Sequence, residues 1–285
     1  MKTNLIIGTR QSLLALWQSN HIADLLRRQY PECTVTLKKI ITKGDRILDV
    51  PLAKIGGKGL FTKELETALL EGEIDLAVHS LKDMPTVLPE GLCLTAVTKR
   101  ANAGDAFVSN KYASIETLPD LKIVDLRGNV DTRLRKLDDG QMDAIILAAA
   151  GLTRLGYTDR IREIIPHNFC LPAVGQGALA IECRTDNTEV RAMLNFLNDQ
   201  PTKQATDAER AFLGLIEGGC QVPIGVHAVT EGDAVSIEAI IASLDGSTVL
   251  RDTIRGQAVN AAELGKELGN KMLDQGGRAI LAEIM

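Results

Sequence analysis

The chain has 285 residues, 45% of them hydrophobic, and a net charge of −5. This length allows a large buried core and predicts two or three domains. The acidic balance disfavours nucleic acid as a partner, and no apolar run approaches the ~20 residues of a membrane span. The first ten residues lack a secretory signal, so we expect a soluble cytoplasmic protein with no membrane partner. Five cysteines without a CxxC pair argue for reduced thiols and against a zinc site.

The first predicted unit opens with a strand at residues 4–8, a polar turn and a helix that ends near residue 28. Arg10 and Ser12 lie in the turn, where the backbone N–H groups and the dipole of the helix favour an anion. The alternative is that Arg10 only pairs with a neighbouring side chain.

A second strand, at residues 35–41, is followed by a stretch rich in glycine and lysine at residues 52–60. Three glycines in four positions favour mobility, and Lys54 and Lys58 there predict a lid that closes over a negatively charged ligand. The spacing differs from a GxxxxGK[ST] nucleotide loop. Phe61 follows at the start of a helix, where packing is its expected role.

Residues 74–85 hold the central pattern of the chain, a short apolar run that changes abruptly to ionisable residues before a proline. In open α/β sheets ligands collect beyond the carboxyl ends of the strands, so Ser80, Lys82 and Asp83 are predicted to face a cleft. The alternative is that Lys82 and Asp83 form a solvated pair on a connecting loop.

A hinge at residues 100–105 is predicted to lead into a second α/β unit. Its expected elements are strands at 120–126 and 143–149 and helices at 130–137 and from 151. Arg127, Arg133 and Arg154 lie at the junctions of these elements and together suggest a receptor for several carboxylates, although a single arginine on a helix is usually just solvated. Residues 171–178 are predicted to cross back to the first unit.

The last third is predicted to be a small α+β domain with strands at 224–229, 235–242 and 248–254. Thr206 and Glu209 fit a capping box, which predicts a helix start at Thr206. Cys220 follows this helix on a Gly-Gly loop, outside any apolar stripe. Although cysteine is more often a core residue, this position favours a chemical role.

Six segments in order resemble the porphobilinogen deaminase (hydroxymethylbilane synthase) family over nearly the whole chain. They are TRQSLLALWQ (9–18), LAKIGGKGLF (52–61), AVHSLKD (77–83), LRGNV (126–130), LPAVGQG (171–177) and EGGCQVP (217–223). So many long matches in the right order are highly specific.

The resemblance implies two α/β domains like type II periplasmic binding proteins, joined by a hinge, plus a C-terminal α+β domain with a three-stranded antiparallel sheet. The domains are expected at 1–99 with 178–199, at 100–177, and at 200–285. The family is a metal-free transferase that joins four porphobilinogen molecules head to tail, with loss of ammonia, and releases hydroxymethylbilane for tetrapyrrole and haem biosynthesis. We expect a monomer with this small-molecule substrate as its partner.

The family's residue roles are carried over by position. Cys220 is expected to hold a dipyrromethane cofactor, made from two substrate units, through a thioether. Asp83 is expected to be catalytic, stabilising the azafulvene cation that forms as ammonia leaves. The remaining cofactor-binding positions are Ser80, Lys82, Arg127, Gly128 and Arg133. The substrate-binding positions are Arg10, Ser12, Gln18, Lys54, Lys58, Phe61, Arg154 and Gln176.

One departure from the family follows Pro119. The family has a further strand and helix there, with a G-T-S-S-x-R-R-like segment that holds cofactor carboxylates, whereas Pro119 here runs straight into Asp120. About twenty residues are absent, more than ordinary loop variation, and the second sheet should lose an element. Either the printed sequence omits a segment or the molecule has lost it. The alternatives to an active deaminase are an impaired homologue and a small-anion binding module of the same fold.

Overall fold

The computed structural model describes residues 2–46, 59–119, 122–216 and 223–283. Within these residues the chain forms three separate sheets flanked by helices. The first sheet contains β1 (Asn4–Thr9), β2 (Thr34–Lys39), β3 (Leu76–Ser80), β4 (Leu92–Val97) and β8 (Leu179–Arg184). Its helices are α1 (Leu13–Gln29), α2 (Lys43–Arg46), α3 (Lys63–Leu70) and α6 (Thr188–Leu194).

The first sheet is mixed, with the strand order β2-β1-β3-β8-β4. β1 is parallel to both β2 and β3, whereas β8 is antiparallel to β3 and β4. β8 therefore returns from the second unit and inserts beside β3. The arrangement confirms the predicted α/β unit, in which the parallel strands β1, β2 and β3 end at one edge of the sheet.

Apolar side chains at helical spacing fix α1 against this sheet. Ile22, Ala23 and Leu26 are fully buried there, together with Leu5, Ile7 and Val78 from the strands. Ser12 caps the helix, because its Oγ accepts a hydrogen bond from the Ala15 backbone N–H (3.3 Å). The strand, turn and helix predicted for residues 4–28 are confirmed.

The second sheet has three antiparallel strands in the described residues. Their order is β6 (Ala144–Ala148), β5 (Asp105–Ser109) and β7 (Glu163–Ile164). Two helices, α4 (Val130–Asp138) and α5 (Ala149–Arg154), follow the predicted positions. β6 is an edge strand, and its Ile146 side chain is 52% exposed.

The predicted strand at residues 120–126 is wrong for the described part of that stretch. Residues 122–126 form no strand, and Ile123 is 92% exposed. The β-branched residues favour extended backbone, but a strand also needs a partner for its N–H and C=O groups. No described strand pairs with this stretch, as expected for a sheet that has lost an element beside it.

The third sheet is an antiparallel meander covered by helices. Its strands are β9 (Ile224–Glu231), β10 (Ala234–Ala242) and β11 (Val249–Gln257). The covering helices are α7 (Gln200–Leu215), α8 (Ala261–Met272) and α9 (Arg278–Ala282). Phe212, Ile237 and Leu268 are fully buried between the layers. The predicted three-stranded α+β unit is confirmed.

The predicted start of α7 at Thr206 is wrong. The helix begins six residues earlier, at Gln200, where the Asp199 carboxylate accepts a hydrogen bond from the Thr202 backbone N–H (3.0 Å) and Pro201 occupies the first turn. Thr206 instead donates to the Thr202 carbonyl (2.8 Å) in mid-helix. The capping-box spacing of Thr206 and Glu209 therefore occurs by chance, and Glu209 does not cap the helix.

Two crossings join the first and second units, one after β4 and one before β8. They run side by side, since the Ala101 N–H donates to the Gly177 carbonyl (3.1 Å) and Thr98 N–H donates to Leu179 (3.0 Å). Gly177 has φ +91°, and a Cβ there would lie 2.7 Å from the Ala101 oxygen. Glycine is therefore required for the crossings to approach. None of the described helices is long and apolar enough to cross a membrane.

Candidate functional site

A cavity of about 340 Å³ lies between the first and second units, at the carboxyl end of β3. β3 ends at Ser80, and a 3₁₀ turn at Leu81–Asp83 follows. The predicted site residues that line this cavity are Arg10, Ser12, Phe61, Ser80, Lys82, Asp83, Gly128, Arg133, Arg154 and Gln176. Residues from six separate sequence segments therefore meet in one place.

Asp83 and Lys82 are exposed in this cavity but differ in their contacts. The Lys82 ammonium donates to Gln176 Oε1 (2.9 Å), and Gln176 Nε2 donates to the Ala103 carbonyl (2.8 Å) and to Asp105 Oδ1 (2.9 Å). Gln176 thus ties the site to the hinge. The Asp83 carboxylate makes no hydrogen bond or ion pair within the described residues, so its oxygens can accept bonds from a ligand. The two side chains are not an ion pair with each other.

Ser80 and Arg10 are both held by neighbours from the first unit. The buried Gln18 donates from Nε2 to Ser80 Oγ (2.8 Å), which places Gln18 behind the cavity. Arg10 binds Asp45 through Nε (3.2 Å to each oxygen) and a terminal nitrogen (2.5 Å), and its guanidinium lies 4.1 Å from the Phe61 ring centroid.

Asp45 holds the Arg10 guanidinium in place. Burial opposes ionisation of Asp45, but hydrogen bonds from Arg10 and Thr42 outweigh it and lower the pKa of this carboxyl. The sequence left open whether Arg10 only pairs with a neighbouring side chain. It does pair with Asp45, and it also lines the cavity.

The second unit contributes two partly buried arginines. Burial and the nearby Arg127 lower the pKa of Arg133, whereas Asp83 acts in the opposite direction. Arg133 Nε donates to the Gly128 carbonyl (2.8 Å). Gly128 has φ +124°, and a Cβ there would lie 2.8 Å from Thr132, so no other residue fits easily.

Arg154 bridges both units. It donates to the Gly177 carbonyl (2.7 Å) and lies 5.9 Å from the Trp17 ring centroid on α1. Burial lowers the pKa of Arg154 to about 10, so it stays charged at neutral pH. In the described part of the chain Arg127 is not among the residues that line the cavity, so its cofactor role stays a prediction.

Three predicted site residues, Lys54, Lys58 and Cys220, lie outside the described residues. Their roles in a lid and in cofactor attachment stay predictions.

A buried ion pair that the sequence did not reveal joins the hinge to the third unit. Arg100, in the first crossing, binds Glu209 of α7 (2.6 and 3.2 Å) and also donates from Nε to the Gln176 carbonyl (2.8 Å). Glu209 is fully buried and accepts further bonds from the N–H groups of Gly175 (2.7 Å) and Ala228 (2.9 Å). Burial disfavours the charge, but His227 and Arg100 outweigh it and lower the pKa of Glu209.

A second buried cluster lies beside the cavity, on the side of the first sheet that faces α3. His79 Nε2 is 3.0 Å from Glu182 Oε2, and both side chains are buried. Burial and the proximity of Glu182 raise the pKa of the neighbouring Glu66 despite a contact with Thr62. The three residues come from β3, β8 and α3, and nothing in the sequence indicated that they meet.

Sequence comparisons identify the family to which this arrangement belongs. The profile described as "Porphobilinogen deaminase, dipyromethane cofactor binding domain" matches residues 5–120 and 116–192, and "Porphobilinogen deaminase, C-terminal domain" matches residues 203–274. The chain belongs to the porphobilinogen deaminase family.

Individual family members agree over almost their full length. The porphobilinogen deaminase of Trichlorobacter lovleyi is 50% identical over 98% of this chain and 96% of its own length. That of Desulforamulus reducens is 47% identical over 100% of this chain and 99% of its own. The resemblance noted in the sequence is therefore confirmed.

The gap after Pro119 is also visible in these comparisons. The alignment with the D. reducens porphobilinogen deaminase spans 305 positions, whereas all of this chain is 285 residues, which leaves about twenty positions without a counterpart. The cofactor-domain match breaks into two stretches that meet at residues 116–120. The three-stranded second sheet and the unpaired residues 122–126 lie at this break.

Among solved structures, the periplasmic aliphatic sulphonate binding protein SsuA of Escherichia coli is similar over 75% of each chain. Its sequence identity is 13% and the TM-score is 0.38. At these values the similarity supports no argument about this porphobilinogen deaminase family member.

Proposed function

We propose that this protein is a hydroxymethylbilane synthase that joins four porphobilinogen molecules head to tail, releasing one ammonia for each. The observation that carries this proposal is the cavity in which the Asp83 carboxylate, without a partner among the described residues, lies with cationic side chains suited to carboxylates. Each pyrrole carries an acetate and a propionate, so a cationic lining suits the substrate despite the acidic chain.

Asp83 is the proposed catalytic residue. A pyrrole that loses ammonia becomes positively charged, and a carboxylate next to the ring nitrogen stabilises that charge and can transfer protons. Asp83 is suited to this because no described residue occupies its oxygens. It is also close enough to Arg133 for its charge to act on the pKa of that guanidinium. Lys82, held by Gln176, is then available for a substrate carboxylate.

The lining also fits a dipyrromethane, whose two pyrrole rings carry four carboxylates. The cavity presents Arg10, Lys82, Arg133 and Arg154 as cations and Ser80 as a hydroxyl donor. We propose that Ser80, Lys82, Arg127, Gly128 and Arg133 hold this group and that Cys220 attaches it. When bound, it would supply the pyrrole carbon to which the first substrate unit is joined.

The remaining substrate contacts follow from their positions. Arg10, Ser12, Gln18, Phe61, Arg154 and Gln176 lie in or behind the cavity, and Lys54 and Lys58 are proposed to reach it from a lid. We further propose that the protein is a cytoplasmic monomer, with domains at 1–99 with 178–199, at 100–177 and at 200–285.

A second candidate function is a homologue that binds porphobilinogen without retaining the primer. The observation that favours it is the reduced second sheet, because the segment missing after Pro119 would supply hydroxyls and paired arginines to cofactor carboxylates. Anionic groups that lose such partners are bound less tightly.

Intact-protein mass separates these functions. The purified active enzyme should carry the added mass of two pyrrole units, and Cys220→Ser should remove it, with Cys170→Ser as the matched control that retains it. An unmodified mass together with measurable porphobilinogen binding would favour the second candidate. An unmodified mass without binding would contradict both.

The role of Asp83 is tested by ammonia release. We expect Asp83→Ala to slow turnover by at least ~100-fold, the lower range of acid–base and electrostatic contributions, while the circular dichroism spectrum stays unchanged. Asp131→Ala, which removes another carboxylate from the cavity lining, is the matched control and should keep most activity. Near-normal ammonia release by Asp83→Ala would refute the assignment.

A further inference from the structure

Two cysteines lie directly opposite each other on neighbouring strands of the first sheet. Cys93 on β4 and Cys183 on β8 are register partners in an antiparallel pair. Such partners point to the same face, with Cα atoms about 4.5–5.5 Å apart. A disulfide needs Cα atoms about 4.4–6.8 Å apart, so the backbone already has a suitable spacing.

The side chain of Thr95 shows that the two sulfurs are also close. Thr95 follows Cys93 by two positions, at an irregularity in β4 between Leu94 and Ala96, and residues two apart in a strand share a face. Its Oγ1 lies 2.8 Å from Cys183 Sγ and 3.5 Å from Cys93 Sγ. Because both sulfurs contact one oxygen atom, they cannot be farther apart than these two distances combined.

The two thiols differ in access to solvent. Cys183 is completely buried, whereas Cys93 is only partly buried at the edge of the same core cluster. Burial raises the pKa of Cys183 to about 11, and Cys93 adds to this as a neighbouring thiol. A small oxidant therefore meets Cys93 first, and Cys183 reacts from behind it.

We propose that Cys93 and Cys183 form a reversible disulfide by exchange with a small disulfide such as oxidised glutathione. The Cys93 thiolate attacks one glutathione sulfur, which breaks the glutathione disulfide and releases one reduced glutathione. Cys183 then loses its proton and attacks Cys93 Sγ, which releases the second. Two protein thiols are oxidised and one glutathione disulfide is reduced to two thiols, so atoms and electrons balance.

The bond would join the two strands that lead into the crossings. β4 ends at Val97 and β8 begins at Leu179, immediately beside the hydrogen bond between Thr98 and Leu179. Cys93 and Cys183 lie toward the opposite ends of these strands, so a covalent link between them would fix the register of the strand pair that leads to the hinge. The first sheet contains both sulfurs, so the inference is independent of whether the chain has transferase activity.

The test uses the full-length protein. Reduced protein is incubated with oxidised glutathione in mildly alkaline buffer, remaining thiols are blocked by alkylation, and peptides are mapped by mass spectrometry without reduction. We expect a linked pair of peptides containing Cys93 and Cys183 that disappears after dithiothreitol. The exposed Cys170 should carry a glutathione adduct, which shows that the oxidant was active, and the buried Cys33 should be recovered as a free thiol.

Single variants separate the two steps. Cys183→Ser should accumulate a stable glutathione adduct on Cys93, and Cys93→Ser should leave Cys183 free. Cys33→Ser is the matched control and should form the link as the parent does. Recovery of free Cys93 and Cys183 from the parent protein, while Cys170 is modified, would overturn the proposal. A glutathione adduct that persists on Cys93 of the parent protein, without a link to Cys183, would also overturn it. Both results are measured on the unsubstituted protein, so neither depends on whether a variant folds.

Discussion

At the scale of single residues, the charged side chains of the cavity differ in whether they already have a partner within the protein. Arg10 is bound by Asp45, Lys82 by Gln176 and Arg154 by a backbone carbonyl, whereas the described residues offer Asp83 no such partner. Bound cations are held in place for anionic ligands, and the unbound carboxylate is the group best placed to respond to a developing positive charge.

Glu66 gives a residue-scale prediction for pH dependence. The pKa of Glu66 in the folded protein is raised above its ordinary value of 4.5. Protonated Glu66 therefore adds to the free energy of unfolding below pH 4.5, and this contribution is lost as the pH rises through the folded pKa. Glu66→Gln cannot ionise and should escape this loss. We therefore expect the stability of Glu66→Gln relative to the parent to improve between acidic and neutral pH.

Urea unfolding at several pH values measures this difference. Glu71→Gln makes the same substitution at the exposed end of α3 and is the matched control. If Glu66→Gln behaves like Glu71→Gln, then the proposed burial of an ionisable carboxyl beside Glu182 is incorrect.

Gln18, Gly128 and Gln176 were predicted as site residues only because their motifs resemble a known family. Strand ends and turns indicated where Ser80, Lys82 and Asp83 lie, but not that Lys82 would bind Gln176. Asp45 and Glu209 were not predicted as partners of Arg10 and Arg100, since these contacts join positions far apart in sequence. Nothing in the local pattern of either acid marks it as a partner.

At the scale of elements, strands were predicted well where they have partners. Hydrophobic patterns indicated β1, β3, β6 and the meander of the third unit, because each lies within a sheet. Residues 122–126 have a similar composition and form no strand. Local preference therefore sufficed only where tertiary neighbours agreed with it. The start of α7 was wrong for a different reason, because a second local cap signal at Asp199 and Pro201 precedes the one at Thr206.

The exposed segment gives an element-scale prediction. Because Ile123 is 92% exposed, Ile123→Lys should change the free energy of unfolding by no more than about 0.5 kcal/mol. Leu134, only 4% exposed in the nearby core, is the contrasting position, and Leu134→Ala should cost about 2–5 kcal/mol. Denaturant melts of both variants measure this contrast. A large loss for Ile123→Lys would mean that the segment is packed in solution.

At the scale of the whole molecule, the three units meet at Arg100 and Glu209. Their contact joins the first crossing, the return crossing through Gly175, and the third sheet through Ala228. Removing one partner leaves a buried charge without compensation, which typically costs about 3–5 kcal/mol. Loss of either partner should therefore cost more than loss of one partner of an exposed ion pair.

A double-mutant cycle tests this pair. We expect Glu209→Gln and Arg100→Met each to be strongly destabilising, and the double variant to lose much less than their combined effects. Ionised Glu209 should contribute to the free energy of unfolding above its ordinary pKa of 4.5. This contribution should vanish as the pH falls through the lowered pKa of the folded protein. Lys111 and Asp143, an exposed pair, form the matched control cycle and should show little coupling. Additive effects at positions 100 and 209 would contradict the inferred ion pair.

The separation of this pair along the chain also affects how the protein is synthesised. Glu209 follows Arg100 by 109 positions, so a ribosome exposes the guanidinium long before it makes the carboxylate. A nascent chain that has emerged only as far as the second sheet therefore carries a cation whose final environment does not yet exist. Because domains generally fold as they emerge from the ribosome, the hinge should reach its final geometry only after α7 has been translated, late in synthesis.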